Sequence, residues 1–301
     1  MNKRMVRSWA VGTVLLATIA AFIWYIKTHP DQITQLKATN PAWLAAILLA
    51  NIGGMAALIG LYQVLVRMVG IRLPATENML LTIYSSIANF FGPLQSGPGV
   101  RAAYLKAKHG LPLKRYVLVT LVAYAVFAVL SAFCLAVGTR PWWQTALAVM
   151  AAVGSSALVI HTISKKHSSE SKHLILTAPL MTGVVIFTVL QILFLTVRFY
   201  LTLRASGTDV SLGQALSYTG AANFALFVSV TPDGIGIREA FLLFSQSIHG
   251  VATSDIVAAS LVDRAAYILF LGLLFVLAVG LHAKERIIRA SSAKTAKNAL
   301  H

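Results

Sequence analysis

The sequence contains few charged side chains, and acidic ones are especially scarce. Only 11% of its 301 residues are charged, whereas soluble domains average about a quarter. Hydrophobic residues make up 57% of the chain. This balance excludes an ordinary soluble domain and predicts an all-α polytopic membrane protein.

The scarce charges are also unevenly divided between the two signs. Lysine and arginine number 25 against 9 acidic residues, which gives a formal net charge of +16. A soluble protein with this excess would suggest a nucleic-acid partner, but here the basic residues lie mostly in short loops between apolar runs. That pattern is typical of membrane orientation and of contact with anionic lipid headgroups. We therefore expect membrane lipids as partners and no nucleic acid.

The sequence also lacks the local signatures of common enzymes. It has no Walker loop, no GxSxG, no HExxH and no CxxC. Its single cysteine, Cys134, excludes an intrachain disulfide. Three histidines recur at a spacing of six, which suits no helix face, at His161, His167 and His173. We expect no catalytic residue, no metal site and no cofactor, and hence no enzyme.

Several apolar runs are long enough to cross a bilayer, which takes about 20 residues. The predicted spans are 9–26, 42–66, 115–137, 142–163, 174–203 and 256–282. The first run follows three basic residues, as a signal peptide would, but no small-x-small cleavage site precedes Trp24. We interpret it as a retained span.

Two further segments, 77–110 and 212–249, are apolar but interrupted by glycine and proline. Each begins with a helix-length arm, breaks, and resumes as a shorter helix, which predicts a re-entrant hairpin. The predicted break residues are Gly97, Pro98 and Gly99 in the first hairpin and Pro232, Asp233, Gly234 and Gly236 in the second.

The two hairpins carry the same phrase. GPGVRAAYL at 97–105 matches GIGIREAFL at 234–242, and upstream SIANF at 86–90 matches GAANF at 220–224. Matches in the same order predict an internal repeat.

The basic residues decide the predicted topology. With the N-terminus inside and Arg101, Arg238 and Arg264 left out as intramembrane, the hairpin topology places 17 basic residues inside and 5 outside. The outside set is Lys27, Lys37, Arg140, Arg198 and Arg204. Full crossings by the first arms would give 13 and 9, so the positive-inside rule favours hairpins. The first hairpin then opens to the cytoplasm and the second to the outside, which makes the repeat inverted.

We therefore expect one integral membrane domain over 1–301, with about six full spans, two re-entrant hairpins and both termini in the cytoplasm. Its predicted parts are a first span and linker (9–40), repeat one (41–140), a connecting span and loop (141–173), repeat two (174–282) and a basic cytoplasmic tail (283–301). The predicted location is a bacterial or archaeal inner membrane.

The hairpin breaks are the predicted binding site. Interrupted backbone within a bilayer is tolerated where it lines a protein or water-filled cavity. The helices that resume after the breaks present amide groups and positive dipole ends, which bind anions. Arg101 and Arg238 each add a full positive charge near the start of one of these helices. The alternative is that these arginines are structural and form ion pairs.

The second copy carries more ionisable groups than the first. Glu239 replaces Ala102, and Asp263 and Arg264 replace Ala123 and Tyr124. Glu239 is either a counter-ion of the arginines or a proton carrier. Asp233 is most simply an N-cap. With Tyr267 one turn later, Arg264 is predicted to converge with Arg238 on a phosphate group.

The phrase TPDGIGIREAFLLF at 231–244, the later LVDR at 261–264, and GPGVRAAYL followed by KHGLPLKR resemble the lysylphosphatidylglycerol synthase transmembrane region family, also called YbhN-like or flippase-like. The resemblance implies movement of lipids between leaflets, as is linked to the membrane half of the multiple-peptide-resistance factor. No aminoacyl-transferase domain is visible, so synthase activity is not expected. Family members often carry Glu-Arg where this chain has Ala123 and Tyr124.

Together these observations predict a flippase-like lipid translocase or lipid-binding transporter that acts on an anionic or phosphate-bearing lipid. The alternative is a non-transporting scaffold that presents lipid to a partner enzyme of phospholipid or glycan synthesis. An intramembrane lipid-modifying enzyme would need a nucleophile or metal that the sequence does not offer.

Overall fold

Backbone hydrogen bonds inside a bilayer must be satisfied within the chain, and apolar segments achieve this by forming helices. The computed structural model describes residues 19–92, 96–137, 174–228 and 236–298, together with residues 16 and 143. Within these residues the regular secondary structure is helical, without a strand. The predicted all-α fold is confirmed for this part of the chain.

Four of the helices are long and apolar enough to cross a membrane: Pro41–Met68, Leu113–Ala136, Ala178–Ala205 and Thr253–Leu281. They confirm long apolar helices at the predicted spans 42–66, 115–137, 174–203 and 256–282. In chain order the helices are α1 (Ile19–Thr28), α2 (Pro30–Ala38), α3 (Pro41–Met68), α4 (Ala75–Phe91), α5 (Ser96–His109), α6 (Leu113–Val137), α7 (Ala178–Ala205), α8 (Leu212–Val228), α9 (Ile237–Phe244), α10 (Gln246–His249) and α11 (Thr253–Asn298).

Three predicted segments are covered only in part. Of the first apolar run, 9–26, the structure describes a helix from residue 19 onward. The predicted span 142–163 lies outside the described residues except for residue 143. The segment predicted as a basic tail from 283 continues α11 as far as Asn298, because it is rich in alanine and lysine, which favour helix, and contains no glycine or proline.

Each interrupted segment forms a pair of antiparallel helices. In the first pair, Tyr104 of α5 donates a hydrogen bond to Glu77 near the start of α4, and Ser96 at the start of α5 donates to the Ala88 carbonyl near the end of α4. In the second pair, His249 packs against Tyr218 early in α8, and Phe241 stacks on Phe224 late in α8. The chain therefore returns toward its starting level in both pairs.

The first pair needs a glycine where its helices come closest. A Cβ at Gly97 would lie 2.4 Å from the carbonyl oxygen of Ser85 on α4, which no side chain can tolerate. The glycine of the repeated phrase thus serves close helix packing. α5 already begins at Ser96, so the prediction that Gly97, Pro98 and Gly99 form the break is wrong. Proline is compatible with the first turn of a helix, where its missing N–H needs no partner.

Equivalent helices of the two repeats have the same lengths. The first helices of the two repeats, α3 and α7, each have 28 residues, and Ala178 lies 137 positions after Pro41. The next helices, α4 and α8, each have 17 residues at the same offset. Gly70 and Gly207, which follow α3 and α7, share the left-handed conformation with φ of 88° and 90°.

The equivalent helices α3 and α7 pack antiparallel at glycine notches, which are positions where a glycine of α3 leaves room for a phenylalanine ring of α7. A Cβ at Gly53 or Gly60 of α3 would lie 2.2 Å from the ring of Phe194 or Phe187 of α7, respectively. As the residue number rises on α3 it falls on α7, which defines the antiparallel direction. Seven positions separate both the glycines and the phenylalanines, so each pair faces one side of its helix.

Helices of one repeat also pack against helices of the other. α8 of repeat two packs on α6 of repeat one, where Ser217 donates to the Leu135 carbonyl at 3.2 Å. α4 of repeat one packs on α11 of repeat two, where the rings of Phe90 and Tyr267 are 5.7 Å apart. The repeats therefore interlock.

The α6–α8 contact predicts a glycine requirement. A Cβ at Gly220 would lie 2.3 Å from the backbone nitrogen of Leu135, and overpacking of this kind destabilises by about 1–3 kcal/mol. We expect Gly220→Ala to lower the unfolding temperature of the purified protein in detergent. Gly280→Ala is the matched control, because nothing lies within 4 Å of its Cβ. Equal unfolding temperatures for the two variants would contradict the close packing.

Candidate functional site

The two helix pairs meet at a cavity of about 230 Å³. Asn89, Gly97 and Pro98 of the first pair and Asn223 and Arg238 of the second pair line it. Further lining residues come from the same two pairs and from α3, α6, α7 and α11. The cavity therefore lies where both repeats contribute, and we call it the main cavity.

A carboxylate shared by two arginines forms one wall of the main cavity. Asp263 of α11 lies 3.0 Å from Nε of Arg198 on α7 and 3.1 Å from a terminal nitrogen of Arg238 on α9. All three residues are buried. Ion pairs removed from water require close geometry to offset desolvation, so Asp263 fixes the relative positions of three helices.

A second ion pair lies beside the first. Arg264 donates to Oε1 of Glu239 at 2.7 Å, and Ser260 donates to the same oxygen. The other carboxylate oxygen of Glu239 accepts the backbone N–H of Gly236 at 2.8 Å, which caps the start of α9. Every hydrogen-bonding contact that the structure gives Glu239 thus stabilises its charged form, which favours the counter-ion interpretation.

The sequence around α9 explains this local geometry. Gly236 has a φ of 80°, a conformation that glycine adopts without strain. Glu239 stands three residues later, at the position from which a carboxylate reaches back to the N-cap amide. The prediction that Gly236 lies at the break is therefore consistent with its place immediately before α9, whereas Pro232, Asp233 and Gly234 lie outside the described residues.

Arg101 has a different environment from Arg238, its counterpart in the repeat. It is 0% exposed and donates to Asn78 and to Thr82 on α4. Its guanidinium lies 4.1 Å from the ring centroid of Tyr62 on α3. Among the described residues, the partners of Arg101 are neutral and include no carboxylate. Aromatic and amide groups stabilise a buried cation here.

The aromatic contact is repeated in the second half. The Arg238 guanidinium lies 5.8 Å from the ring centroid of Phe199. Phe199 follows Tyr62 by 137 positions, as Arg238 follows Arg101. Each repeat thus places its arginine against an aromatic side chain of its first helix.

The structure separates the predicted site residues into two groups. Gly97, Pro98, Arg238, Asp263 and Tyr267 line the main cavity. The predicted residues that do not line it are Arg101, Gly99, Gly236, Glu239 and Arg264. Arg264 and Arg238 approach the same oxygen of Glu239, at 2.7 Å and 3.9 Å respectively, and Arg238 also binds Asp263. Their convergence on a phosphate group stays a prediction.

Arg198 was missed as a site residue. The topology count placed it outside the membrane, but it is buried in α7, lines the main cavity and binds Asp263. The reason is that α7 continues to Ala205, so Arg198 is more than a turn from its end. The signal was an ionisable residue within the predicted span 174–203, which by itself suggests a functional site.

Tyr267, which was predicted as a binding residue together with Arg264, lies against Arg198. Its ring centroid lies 5.3 Å from the guanidinium of Arg198. The same ring packs against Phe90 of α4. Tyr267 therefore connects the first helix pair to the arginines of the second repeat. Within the described residues, no cluster of three His, Cys, Asp or Glu side chains could hold a metal ion.

A helical membrane domain with a largely apolar cavity that carries buried charges, between two helix pairs, is the class of protein that these observations define. The family described as the lysylphosphatidylglycerol synthase TM region matches residues 9–274. The chain belongs to this family, and it is a multi-pass membrane protein of a lipid-related family. No curated protein matches the chain in sequence.

The Glu239–Arg264 pair predicts coupled effects on stability. Glu239→Gln leaves the buried Arg264 without a counter-charge, and breaking a buried pair costs about 3–5 kcal/mol. Loss of the N-terminal helix charge alone would cost only about 0.3–1 kcal/mol. We expect Glu239→Gln to lower the unfolding temperature strongly, and the double variant Glu239→Gln/Arg264→Gln to recover part of the loss.

Thermal unfolding of the two single variants and the double variant in detergent measures this coupling. Strictly additive losses would contradict a direct ion pair. A small loss in Glu239→Gln, within the range of a helix charge, would do the same.

Proposed function

We propose that the protein is a flippase-like translocase that binds the phosphate-bearing headgroup of an anionic lipid in the main cavity and moves it between leaflets of the inner membrane. The observation that carries the proposal is the shared carboxylate: Arg198 and Arg238 both line the cavity, and both bind Asp263. The family membership supports a lipid-related role.

The charge balance favours an anionic ligand. Within the described residues, the cluster of Arg198, Arg238 and Arg264 is opposed by Asp263 and Glu239, which leaves one positive charge in excess. An uncompensated arginine within a bilayer is unfavourable by about 2.5–3.5 kcal/mol or more. A phosphate group beside Arg198 and Arg238 would neutralise the excess, and guanidinium groups bind phosphate well.

The size of the main cavity favours a headgroup. Its volume of about 230 Å³ is below the roughly 300–1,000 Å³ of pockets that enclose a drug-sized ligand. Acyl or prenyl chains therefore stay in the bilayer while the polar part enters. The amide side chains of Asn89 and Asn223, one from each helix pair, lie in the lining and can bind polar headgroup atoms.

The antiparallel packing of the equivalent helices α3 and α7 supports an inverted repeat. In such a protein, movement of one repeat against the other opens a central site alternately to each side. The two helix pairs then act as re-entrant hairpins from opposite sides. Their 17-residue first arms are shorter than the roughly 20 residues that a span requires.

The described basic residues support the proposed orientation. The end formed by the start of α4 and the ends of α3 and α5 carries a dense basic cluster, and Glu77 there binds Lys108 and His109. By the positive-inside rule this end faces the cytoplasm. The cluster consists of Arg67, Arg72, Lys106, Lys108, Lys114 and Arg115.

Removal of one cavity arginine tests the proposal. Arg238→Gln leaves Asp263 paired with Arg198, so the fold should persist, while the excess positive charge disappears. Because a hydrogen bond to a charged group contributes about 1.5–3 kcal/mol, we expect lipid transfer to fall about tenfold to hundredfold. The measurement is leaflet-resolved movement of a fluorescent anionic phospholipid in proteoliposomes.

Arg204→Gln is the matched control. Arg204 pairs with the exposed Asp209 at the end of α7, and exposed pairs contribute little to stability. Equal transfer by both variants would overturn the proposed site. Anionic lipid that binds to the wild type but never changes leaflet would favour the scaffold alternative.

A further inference from the structure

We infer that a second, smaller cavity is another phosphate-binding station, separated from the main cavity by Gln191 and Arg198. The inference rests on the proposed function, because both cavities would serve the same headgroup. The smaller cavity has a volume of about 80 Å³ and lies between α3, α7 and α11. A single water needs roughly 10–15 Å³ of such space, so a tetrahedral phosphate group fits.

The two cavities share one wall. Gln191, Arg198 and Tyr267 line both of them. Gln191 and Arg198 are seven positions apart on α7 and therefore project from the same face of the helix. A group leaving the main cavity would pass these side chains to reach the smaller one.

Arg198 reaches into both cavities. One terminal nitrogen donates to Oδ1 of Asn51, which lines the smaller cavity, at 3.2 Å. Its other nitrogens face Asp263, which lines the main cavity. A phosphate oxygen can thus replace either Asn51 or Asp263 as a hydrogen-bond partner of the guanidinium. Among the residues described around the smaller cavity, Arg198 is the only charged one, so that cavity favours an anion.

Gln191 is the unexplained polar group of this wall. It stands at the centre of the 28-residue helix α7, the level of a span where water is scarcest. Among the described residues its amide has no hydrogen-bond partner. The side chain is only partly buried, so the amide is accessible to a ligand in the cavities that it lines. The amide N–H groups of Gln191 can donate hydrogen bonds to a ligand, and phosphate oxygens are suitable acceptors.

The repeat explains why only one such side chain is present. Gln191 lies 137 positions after Gly54, so the two occupy equivalent places in α7 and α3. Gly54 lines the smaller cavity. Two long side chains at equivalent central positions would compete for the same space. Glycine in one repeat leaves room, and glutamine in the other supplies the polar group.

Filling the smaller cavity at Gly54 tests the inference at a residue that lines this cavity and is not among the described lining of the main one. We expect Gly54→Leu to weaken phosphate binding about tenfold or more, because it displaces the anion from Arg198. A Cβ at Gly54 makes only an ordinary contact, 3.8 Å from Phe194, so the fold should tolerate the change. Gln191→Leu, which removes the amide at similar volume, should weaken binding in the same direction.

The control is Gly280→Leu, where the added Cβ meets nothing within 4 Å. Calorimetric titration of the full-length protein in detergent uses two probes, inorganic phosphate and a short-chain phosphatidic acid. Weakening for both probes identifies the phosphate group itself as the ligand, and weakening for the lipid alone identifies the headgroup. Unchanged affinity for both probes in Gly54→Leu and Gln191→Leu would overturn the second station.

This result is separable from the proposed translocation. If the wild type fails to move lipid in proteoliposomes although both variants lose phosphate affinity, the station stands and the translocase proposal fails. If the variants keep wild-type affinity and move lipid at the wild-type rate, the station fails and the translocase proposal stands.

Discussion

The shared carboxylate of Asp263 is the interaction on which the rest of the site depends. It comes from α11 and is held between Arg198 of α7 and Arg238 of α9. Inside a bilayer, an arginine without a counter-charge is unfavourable in free energy. The three helices must therefore keep the spacing at which one carboxylate meets both cations, and this spacing also defines one wall of the main cavity.

Close helix packing makes that geometry possible. Glycine notches let α3 approach the phenylalanines of α7, and Gly220 lets α8 approach the backbone of α6. Between helices in lipid, van der Waals contact of this kind replaces the hydrophobic driving force that operates in water. Because α8 packs on α6 and α4 packs on α11, each repeat is held by the other, and both contribute to the walls of the cavity between them.

Sequence reasoning was strongest where the signal is local. A run of about 20 apolar residues identifies a span by itself, and the four long helices follow from that. The repeated phrase likewise predicted two interrupted segments, and the structure gives each as an antiparallel helix pair. Gly97 to Gly99 were assigned to the break, since glycine and proline are equally compatible with a loop and with the first turn of a tightly packed helix.

The pairing of the charges could not be predicted from the sequence. Arg238 was identified from its motif, but its partner Asp263 follows 25 positions later on another helix, and the neighbouring Glu239 binds Arg264 instead. Arg198 was counted with the outside basic residues, although the predicted span 174–203 contains it, because the positive-inside rule counts basic residues near the end of a span. Its burial depends on a carboxylate 65 positions away, which no local pattern reveals.

The differences between the repeats carry more functional meaning than their likeness. Equivalent backbones hold Arg101 and Arg238 against an aromatic ring, yet the partners of Arg101 within the described residues are neutral, whereas Arg238 faces the cavity and a carboxylate. A protein with identical halves would present the same charges to both sides. Here the first pair supplies a fixed, fully buried cation, while the second supplies cations whose counter-ion lies at the cavity wall, where an incoming anion can compete with it. The repeat therefore builds the cavity, and the departures from the repeat determine what the cavity can bind.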